Sequence, residues 1–138
     1  MTRVVNSAEQ RLTRQSRQLW NELAIELAAF SLLAASIVLL WRHNIPLFIV
    51  VLMVCLASLG LWHERYDLTF FLIIGVVGSI AEAVFVQFGV WRYANPTTLG
   101  IPLWFPVAFG TAALIGERLV RTINLMWEEA SSLRASKG

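Results

Sequence analysis

Four long apolar stretches, separated by short polar connections, constrain this chain more than any other feature of its sequence. They run from about Leu23 to Trp41, from Ile45 to Trp62, from Leu68 to Val90 and from Pro102 to Val120. Each is close to the ~20 residues that cross a ~30 Å hydrocarbon core as an α-helix. Because lipid offers no hydrogen-bond partner to a peptide group, such stretches cross a bilayer as helices.

The composition agrees with a membrane protein. Of the 138 residues, 57% are hydrophobic and 14% are charged, against roughly 45–50% and 25% in soluble domains. The connections at 42–44 and 63–67 are short enough to make consecutive helices antiparallel neighbours. We predict an all-α fold, in which residues 1–138 form a single membrane domain. Its spans are 23–41, 45–62, 68–90 and 102–120, arranged as a four-helix transmembrane bundle with an amphipathic N-terminal lead-in and a cytoplasmic C-terminal helix.

The basic residues are unevenly distributed between the two sides of such a bundle. With the N-terminus inside, nine Lys and Arg fall on the inner side and two, Arg42 and Arg92, on the outer side. Cytoplasmic segments carry the excess of Lys and Arg in membrane proteins. We therefore predict a multi-pass protein of the cell (inner) membrane, with the tails 1–20 and 121–138 in the cytoplasm and the 91–101 loop outside. Since the basic charge has this explanation, we expect the lipid bilayer as a partner and no nucleic acid.

The C-terminal segment has a second apolar pattern of its own. Steps of four and three residues separate Leu119, Ile123, Met126, Ala130 and Leu133. This is the spacing of a heptad seam, through which the C-terminal helix would contact a second copy or a partner subunit. The alternative is a helix that lies on the membrane surface, anchored by Trp127.

One carboxylate, Glu82, lies within the third apolar stretch. A charge there costs about 2.5–3.5 kcal/mol of insertion free energy. We therefore expect the carboxylate to be paired with another polar group, to be protonated, or to serve a function. Small and polar residues share its helix face at steps of four and three: Gly75, Ser79, Glu82, Val86 and Gly89. Small residues let helices approach closely, so we expect this face to point into the bundle. Glu82 then either pins two helices through a hydrogen bond or serves as a general acid or proton carrier.

The loop that follows is dense in aromatic residues. We predict that Trp91, Arg92, Tyr93 and Trp104 bind a lipid or other apolar ligand in an outward-facing pocket between the third and fourth spans. Thr111, at the depth of Glu82 on the fourth span, is expected to join them. The alternative is a belt of aromatic residues at the membrane interface with one snorkelling arginine.

Three motifs around this loop also carry a resemblance. Glu82, then Gly89-x-Trp91-x-Tyr93, then Gly100-x-Pro102-x-Trp104 resemble small uncharacterised prokaryotic multi-pass membrane proteins. More weakly, they resemble the membrane carotenoid hydratases of bacterioruberin synthesis. The latter resemblance implies that Glu82 and Tyr93 are retained polar positions. It also implies that any enzymatic activity modifies a lipid or isoprenoid with Glu82 as the acid or base; whether the protein is an enzyme stays open.

No metal or cofactor is expected. Cys55 is the single cysteine and lies in an apolar stretch, while His43 and His63 fall on opposite sides of the membrane. These residues cannot ligate a common ion or haem.

Three further carboxylates fall near the inner surface: Glu22, Glu26 and Glu117. We interpret them as interfacial ion pairs with neighbouring arginines, with a second polar site as the alternative. The sequence thus leaves three functions open. The protein binds an apolar ligand, it is a structural or accessory subunit of a membrane complex, or it is a small proton-coupled transporter.

Overall fold

Four α-helices make up most of the chain in a computed structural model. The structure describes the backbone of residues 2–62 and 64–135 and the side chains of residues 14–62, 64 and 66–134. The helices are α1 (Thr2–Leu40), α2 (Asn44–Trp62), α3 (Arg65–Gln87) and α4 (Phe105–Ala135). No β-strand occurs in the described part of the chain. The predicted all-α, four-helix fold is therefore confirmed, and His63 lies outside the described residues.

Three of the helices contain segments long and apolar enough to cross a membrane: Arg14–Leu40, Asn44–Trp62 and Tyr66–Gln87. The uncharged part of α4, from Phe105 to Gly116, covers only about 18 Å at 1.5 Å per residue before Glu117. Beyond Glu117, α4 continues as one helix to Ala135. At the other end of the chain, the lead-in and the first span form one continuous helix, α1.

Helix α3 ends before the predicted limit of the third span at Val90. Gly89 has a φ of 74°, a left-handed conformation that most residues disfavour. The amide of Gly89 donates to the Val86 carbonyl and that of Val90 to the Phe85 carbonyl, both at 3.0 Å. This pair of bonds is the Schellman motif, which closes the helix at Gln87 and turns the chain back.

Helix α4 begins at Phe105, three residues after the predicted start at Pro102. Pro102 instead lies in a tight turn before the helix, in which the amide of Phe105 donates to the Pro102 carbonyl over 3.1 Å. Pro106 is consequently the second residue of the helix, where no intrahelical partner exists for its missing N–H. Pro106 is therefore accommodated without a kink in α4.

The chain divides into two compact units. The core unit comprises residues 29–116, and the terminal unit comprises residues 1–28 and 117–138. In the core unit the first part of α4 is the most buried element. Its buried residues are Phe105, Ala108, Gly110, Thr111, Leu114 and Ile115. Large apolar side chains on α1, α2 and α3 are exposed, as expected for surfaces that contact lipid.

Small residues bring α3 and α4 together within the core unit. A Cβ added at Gly110 would lie 2.8 Å from the backbone oxygen of Phe71, and one added at Gly75 would lie 3.1 Å from that of Pro106. These distances leave no room for a larger side chain. The helix face that carries Gly75 thus points toward α4, and the close approach depends on glycine at both positions.

In the terminal unit, residues of α1 and α4 line a groove of about 620 Å³: Ser16, Arg17, Trp20, Met126, Glu129, Ala130 and Leu133. Three residues of the predicted heptad seam therefore have a neighbour within their own chain. Trp127 is 72% exposed and lies off this groove. Contact of the C-terminal helix with another subunit stays a prediction.

The carboxylates of the terminal unit are not all surface ion pairs. Glu117 forms one with Arg121, with 2.6 Å between Oε1 and Nη2. Glu26, by contrast, is only 1% exposed, and its Oε1 accepts a hydrogen bond from the Thr122 hydroxyl at 2.8 Å. An interfacial ion pair therefore describes Glu117 but not Glu26.

Candidate functional site

The carboxylate of Glu82 accepts two hydrogen bonds from the loop that follows α3. Trp91 donates through Nε1 over 2.6 Å and Tyr93 through its hydroxyl over 2.5 Å. Both bonds end on the same oxygen, Oε1. The partners of Glu82 are thus two aromatic side chains of the loop, not a group on another helix, as the pinning of two helices would require.

The turn at the end of α3 explains this arrangement. Glu82 lies five residues before Gln87, about 7.5 Å along the helix, so it is nearer the end of α3 than it would be if the helix reached Val90. Gly89 reverses the chain, and the loop then runs back past the last turn of α3. In an extended segment alternate side chains point the same way, so Trp91 and Tyr93 both reach Glu82, while Arg92 is exposed.

Tyr93 is held in its neutral form. Burial raises the pKa of Tyr93, and the hydrogen bond to the Glu82 carboxylate and the negative charge of that group raise it further. The hydroxyl therefore remains a hydrogen-bond donor over the physiological pH range. A neutral Tyr93 suits a permanent link between α3 and the loop better than a group that releases its proton. The hydrogen bonds of Glu82 with Trp91 and Tyr93 are called the Glu82 clamp below.

Tyr93 also belongs to an aromatic cluster, formed by Tyr93, Trp104, Phe105 and Phe109. The ring of Tyr93 meets Trp104 edge-on at 6.4 Å between centroids and Phe105 at 6.0 Å. Phe105 stacks on Phe109 at 5.4 Å. Edge-to-face and offset contacts of this kind are favourable beyond the area they bury. The cluster extends the Glu82 clamp onto the first turn of α4.

An apolar cavity of about 160 Å³ lies beside the cluster, between α1 and α4. It is lined by Phe30, Leu33, Ala34, Ile37, Trp104, Phe105, Ala108, Phe109 and Ala112. Its volume is comparable to that of engineered apolar cavities of ~150 Å³, which stay dry and accept a benzene-sized guest. The expected location, between the third and fourth spans, is instead where α3 and α4 approach closely.

One residue of the cavity wall has a buried polar atom without a partner. Trp104 is 7% exposed, and its Nε1 is buried without a hydrogen bond to any residue that the structure describes. A buried donor left unpaired is unfavourable by about 1–3 kcal/mol. Trp104 is therefore the residue of the cavity wall whose side-chain donor is unsatisfied.

The loop is fastened to the connection between α1 and α2. The side-chain amide of Asn95 donates to the Arg42 carbonyl over 2.7 Å, and that of Asn44 donates to the Asn95 carbonyl over 2.8 Å. The turn at 41–43 and the 88–104 loop therefore lie at the same end of the core unit. The fastening holds the aromatic cluster over the end of the bundle.

Two of the expected ligand-binding residues lie away from the clamp. Arg92 is exposed. Thr111 is fully buried, donates to the Val107 carbonyl over 2.6 Å and lies next to Cys55 of α2. Of the five expected residues, Trp91 and Tyr93 donate to Glu82, and Trp104 packs on Tyr93 and lines the cavity.

The α1 wall of the cavity was missed by the sequence interpretation. Phe30, Leu33, Ala34 and Ile37 recur at helical spacing, which marks a single face. That pattern could have shown an apolar face on α1, although its neighbour could not be read from it. Among the described residues, no three His, Cys, Asp or Glu side chains lie where they could hold a metal ion.

Comparison with protein-family models, with curated proteins and with solved structures finds no match to this chain.

Proposed function

We propose that this chain is a small integral membrane protein that binds a lipid or other apolar ligand in the cavity between α1 and α4. One observation carries the proposal: Trp104, whose Nε1 is buried and receives no acceptor among the described residues, lies in the wall of an apolar cavity. An apolar chain would fill the space and a ligand oxygen would accept from the indole. Ligand pockets typically combine such an apolar lining with a few placed polar groups.

The shape of the cavity narrows the chemistry of the ligand. Its α4 wall runs from Phe105 to Ala112, about 10 Å of helix, and Trp104 lies directly before it. The donor lies at one end of this wall and only apolar side chains lie at the other. This favours a molecule with an oxygen acceptor at its head and a hydrocarbon chain behind it, such as a fatty acyl or isoprenoid compound.

Glu82 has a positioning role in this proposal. Its carboxylate holds Trp91 and Tyr93, and Tyr93 in turn packs on Trp104. The clamp would fix the orientation of the indole and thereby the direction of its N–H. Binding sites need such support, because a contact residue that is held loosely contributes less to the affinity for the ligand.

The bias of nine basic residues against two supports an orientation with both termini in the cytoplasm of a cell (inner) membrane. The 88–104 loop, and with it the cavity mouth at Trp104, would then face outward. Reporter fusions at residue 43 and at 94–99 should report outside, and fusions after residue 65 and at the C-terminus should report inside. An inside signal from 94–99 would overturn the orientation.

Filling the cavity tests the ligand proposal. We suggest Ala112→Leu, which adds volume to the cavity wall, with Ala57→Leu on the exposed face of α2 as the matched control. The probe is a long-chain fatty acid with a photoreactive diazirine in its tail, and labelled residues are mapped by mass spectrometry. We expect labelling at the cavity in the wild type and in Ala57→Leu, and its loss in Ala112→Leu. Equal labelling of all three proteins would refute the proposal.

A further inference from the structure

A second polar site lies in the terminal unit, centred on Glu26 of α1. The side chain is 1% exposed. Its Oε1 accepts the hydrogen bond of the Thr122 hydroxyl. Its Oε2 is also buried and receives no hydrogen bond from any residue that the structure describes. A buried ionised carboxylate needs donors on both oxygens, so this oxygen calls for a further group.

The charged groups that act on Glu26 do not supply that donor. Glu22 on its own helix and Glu117 on α4 are negative, and Arg118 on α4 is positive. None of the three makes a hydrogen bond to Oε2. The two negative neighbours make a third negative charge at this position unfavourable, and Arg118 offsets this only in part.

Glu117 is a second carboxylate of the terminal unit with a buried oxygen that accepts no hydrogen bond from the described residues. Its Oε1 accepts hydrogen bonds from Nε and Nη2 of Arg121 at 3.2 and 2.6 Å, a charge-assisted pair. Its Oε2 is buried and accepts no hydrogen bond within the described residues. Glu26 thus has one buried oxygen without a donor. Glu117, its acidic neighbour on α4, also has a buried oxygen that accepts no hydrogen bond from the described residues.

We propose that Glu26 is a proton-binding site, with the proton on Oε2 and the carbonyl Oε1 hydrogen-bonded to Thr122. The added hydrogen removes the negative charge from a buried oxygen that has no donor, and makes that oxygen a donor itself. A proton fits this site better than a metal ion, because no group of three or more metal-ligating side chains occurs among the described residues. The site belongs to the terminal unit and is independent of the ligand cavity.

Proton binding would make the α1–α4 contact of the terminal unit sensitive to pH. The folded protein would hold a proton that the unfolded chain releases, so its stability falls as the pH rises through the range in which Glu26 ionises. Ionised Glu26 would then repel Glu22 and Glu117. Protonation and helix packing are thus linked in the direction that a proton-responsive membrane protein requires.

Infrared spectroscopy of the protein in lipid at neutral pH tests the proposal. A protonated carboxylic acid has a carbonyl band that ionised carboxylates lack. We expect this band in the wild type, loss of one component in Glu26→Gln, and no change in Glu128→Gln, a substitution at an exposed site on α4. Absence of the band from the wild type, or its full retention in Glu26→Gln, would overturn the proposal.

Thr122→Val provides an independent measurement that does not depend on the folding of Glu26→Gln. Valine has the shape of threonine without the hydroxyl, so the carbonyl Oε1 of Glu26 loses its donor. The carbonyl band should then shift to higher frequency, because hydrogen bonding weakens a C=O bond. A band with unchanged frequency would show that the protonated group is not Glu26, which contradicts the assignment.

Discussion

The hydroxyl of Tyr93 donates to Oε1 of Glu82 over 2.5 Å, which ties the loop after α3 to the last turns of that helix. The same oxygen accepts from Trp91, so one carboxylate fixes two points of the loop. The ring of Tyr93 in turn packs edge-on against Trp104 and restricts its position. A carboxylate that looks out of place in an apolar helix thus organises the aromatic residues at one end of the core unit.

Substitutions at Glu82 should separate its hydrogen-bonding role from its charge. Glu82→Gln keeps an acceptor oxygen for Trp91 and Tyr93, so we expect a loss of unfolding free energy within about 1 kcal/mol. Glu82→Ala leaves both donors unpaired, and we expect a loss of about 1–3 kcal/mol. Thermal unfolding in detergent, monitored by circular dichroism, measures both.

Gln87→Ala is the matched control for this series. Gln87 also bonds the loop, through its side-chain amide and the Leu99 carbonyl, but at 3.4 Å and at an exposed position. Its replacement should change the stability by less than about 0.5 kcal/mol. If Glu82→Gln retains fatty-acid labelling while Glu82→Ala loses it, Glu82 acts by positioning the loop; loss of labelling in Glu82→Gln without loss of fold would point to a role for its charge.

Tyr93 should make the protein sensitive to alkali. The pKa of Tyr93 is raised in the folded state by burial and by Glu82, while the unfolded chain ionises near the ordinary value of about 10. The resulting stabilisation is complete below pH ~10 and is lost as the pH rises above it, because the unfolded state then releases a proton that the folded state keeps. Unfolding midpoints should therefore fall above pH ~10 in the wild type.

Tyr93→Phe should flatten that alkaline decline, and Tyr66→Phe should retain it. These are the two tyrosines of the chain, and Tyr66 is 79% exposed. In Tyr66→Phe the near-ultraviolet absorbance of tyrosinate reports Tyr93 alone, so its titration can be followed directly. A normal tyrosine titration in this variant would show that the hydroxyl is not held by Glu82.

The sequence predicted the helices well because hydropathy alone determines which segments can span lipid. It also placed Glu82 near the right loop. Which loop residues become its partners depended on where α3 ends. The helix ends at Gln87, three residues before Val90, and the turn at Gly89 sets the alternation that directs Trp91 and Tyr93 toward Glu82.

Which helices pack together was harder to predict, since an apolar face does not show which other helix it contacts. Thr111 was predicted to lie at the same depth in the membrane as Glu82. Depth does not determine which way a side chain points around the helix axis, and the Thr111 side chain lies next to Cys55. The burial of Glu26 was missed for the same reason. An acidic residue near a predicted interface looks like a surface group until a second helix, here through Thr122, covers it.

The contact between α3 and α4 should not tolerate a methyl group at Gly110. A Cβ there would lie 2.8 Å from the Phe71 carbonyl and 2.7 Å from its ring. The backbone must shift to accommodate it, so we expect Gly110→Ala to lower the unfolding free energy by about 1–3 kcal/mol. Thermal unfolding in detergent measures the change.

Gly116→Ala is the control in the same helix, since nothing lies within 4 Å of a Cβ at that position. Alanine favours a helix by about 1 kcal/mol over glycine, so this variant should be as stable as the wild type or more so. Equal effects at the two positions would mean that α3 and α4 do not pack through Gly110.

The last prediction concerns the indole of Trp104, on which the proposed function depends. Trp104→Phe keeps an aromatic ring in the cluster and removes the unpaired donor. Stability should change by less than about 1 kcal/mol, because no protein hydrogen bond is lost. Binding of the diazirine fatty acid should weaken about two- to tenfold, as expected when one hydrogen bond of about 0.5–1.5 kcal/mol is removed.

A diazirine-bearing hydrocarbon of the same length separates this loss from a change in cavity shape. It has no oxygen acceptor, so its labelling should be equal in the wild type and in Trp104→Phe. Trp127→Phe, at a 72% exposed position, should bind both probes as the wild type does. If Trp104→Phe weakens both probes equally, the ring fills space without donating, and the requirement for an acceptor on the ligand is wrong.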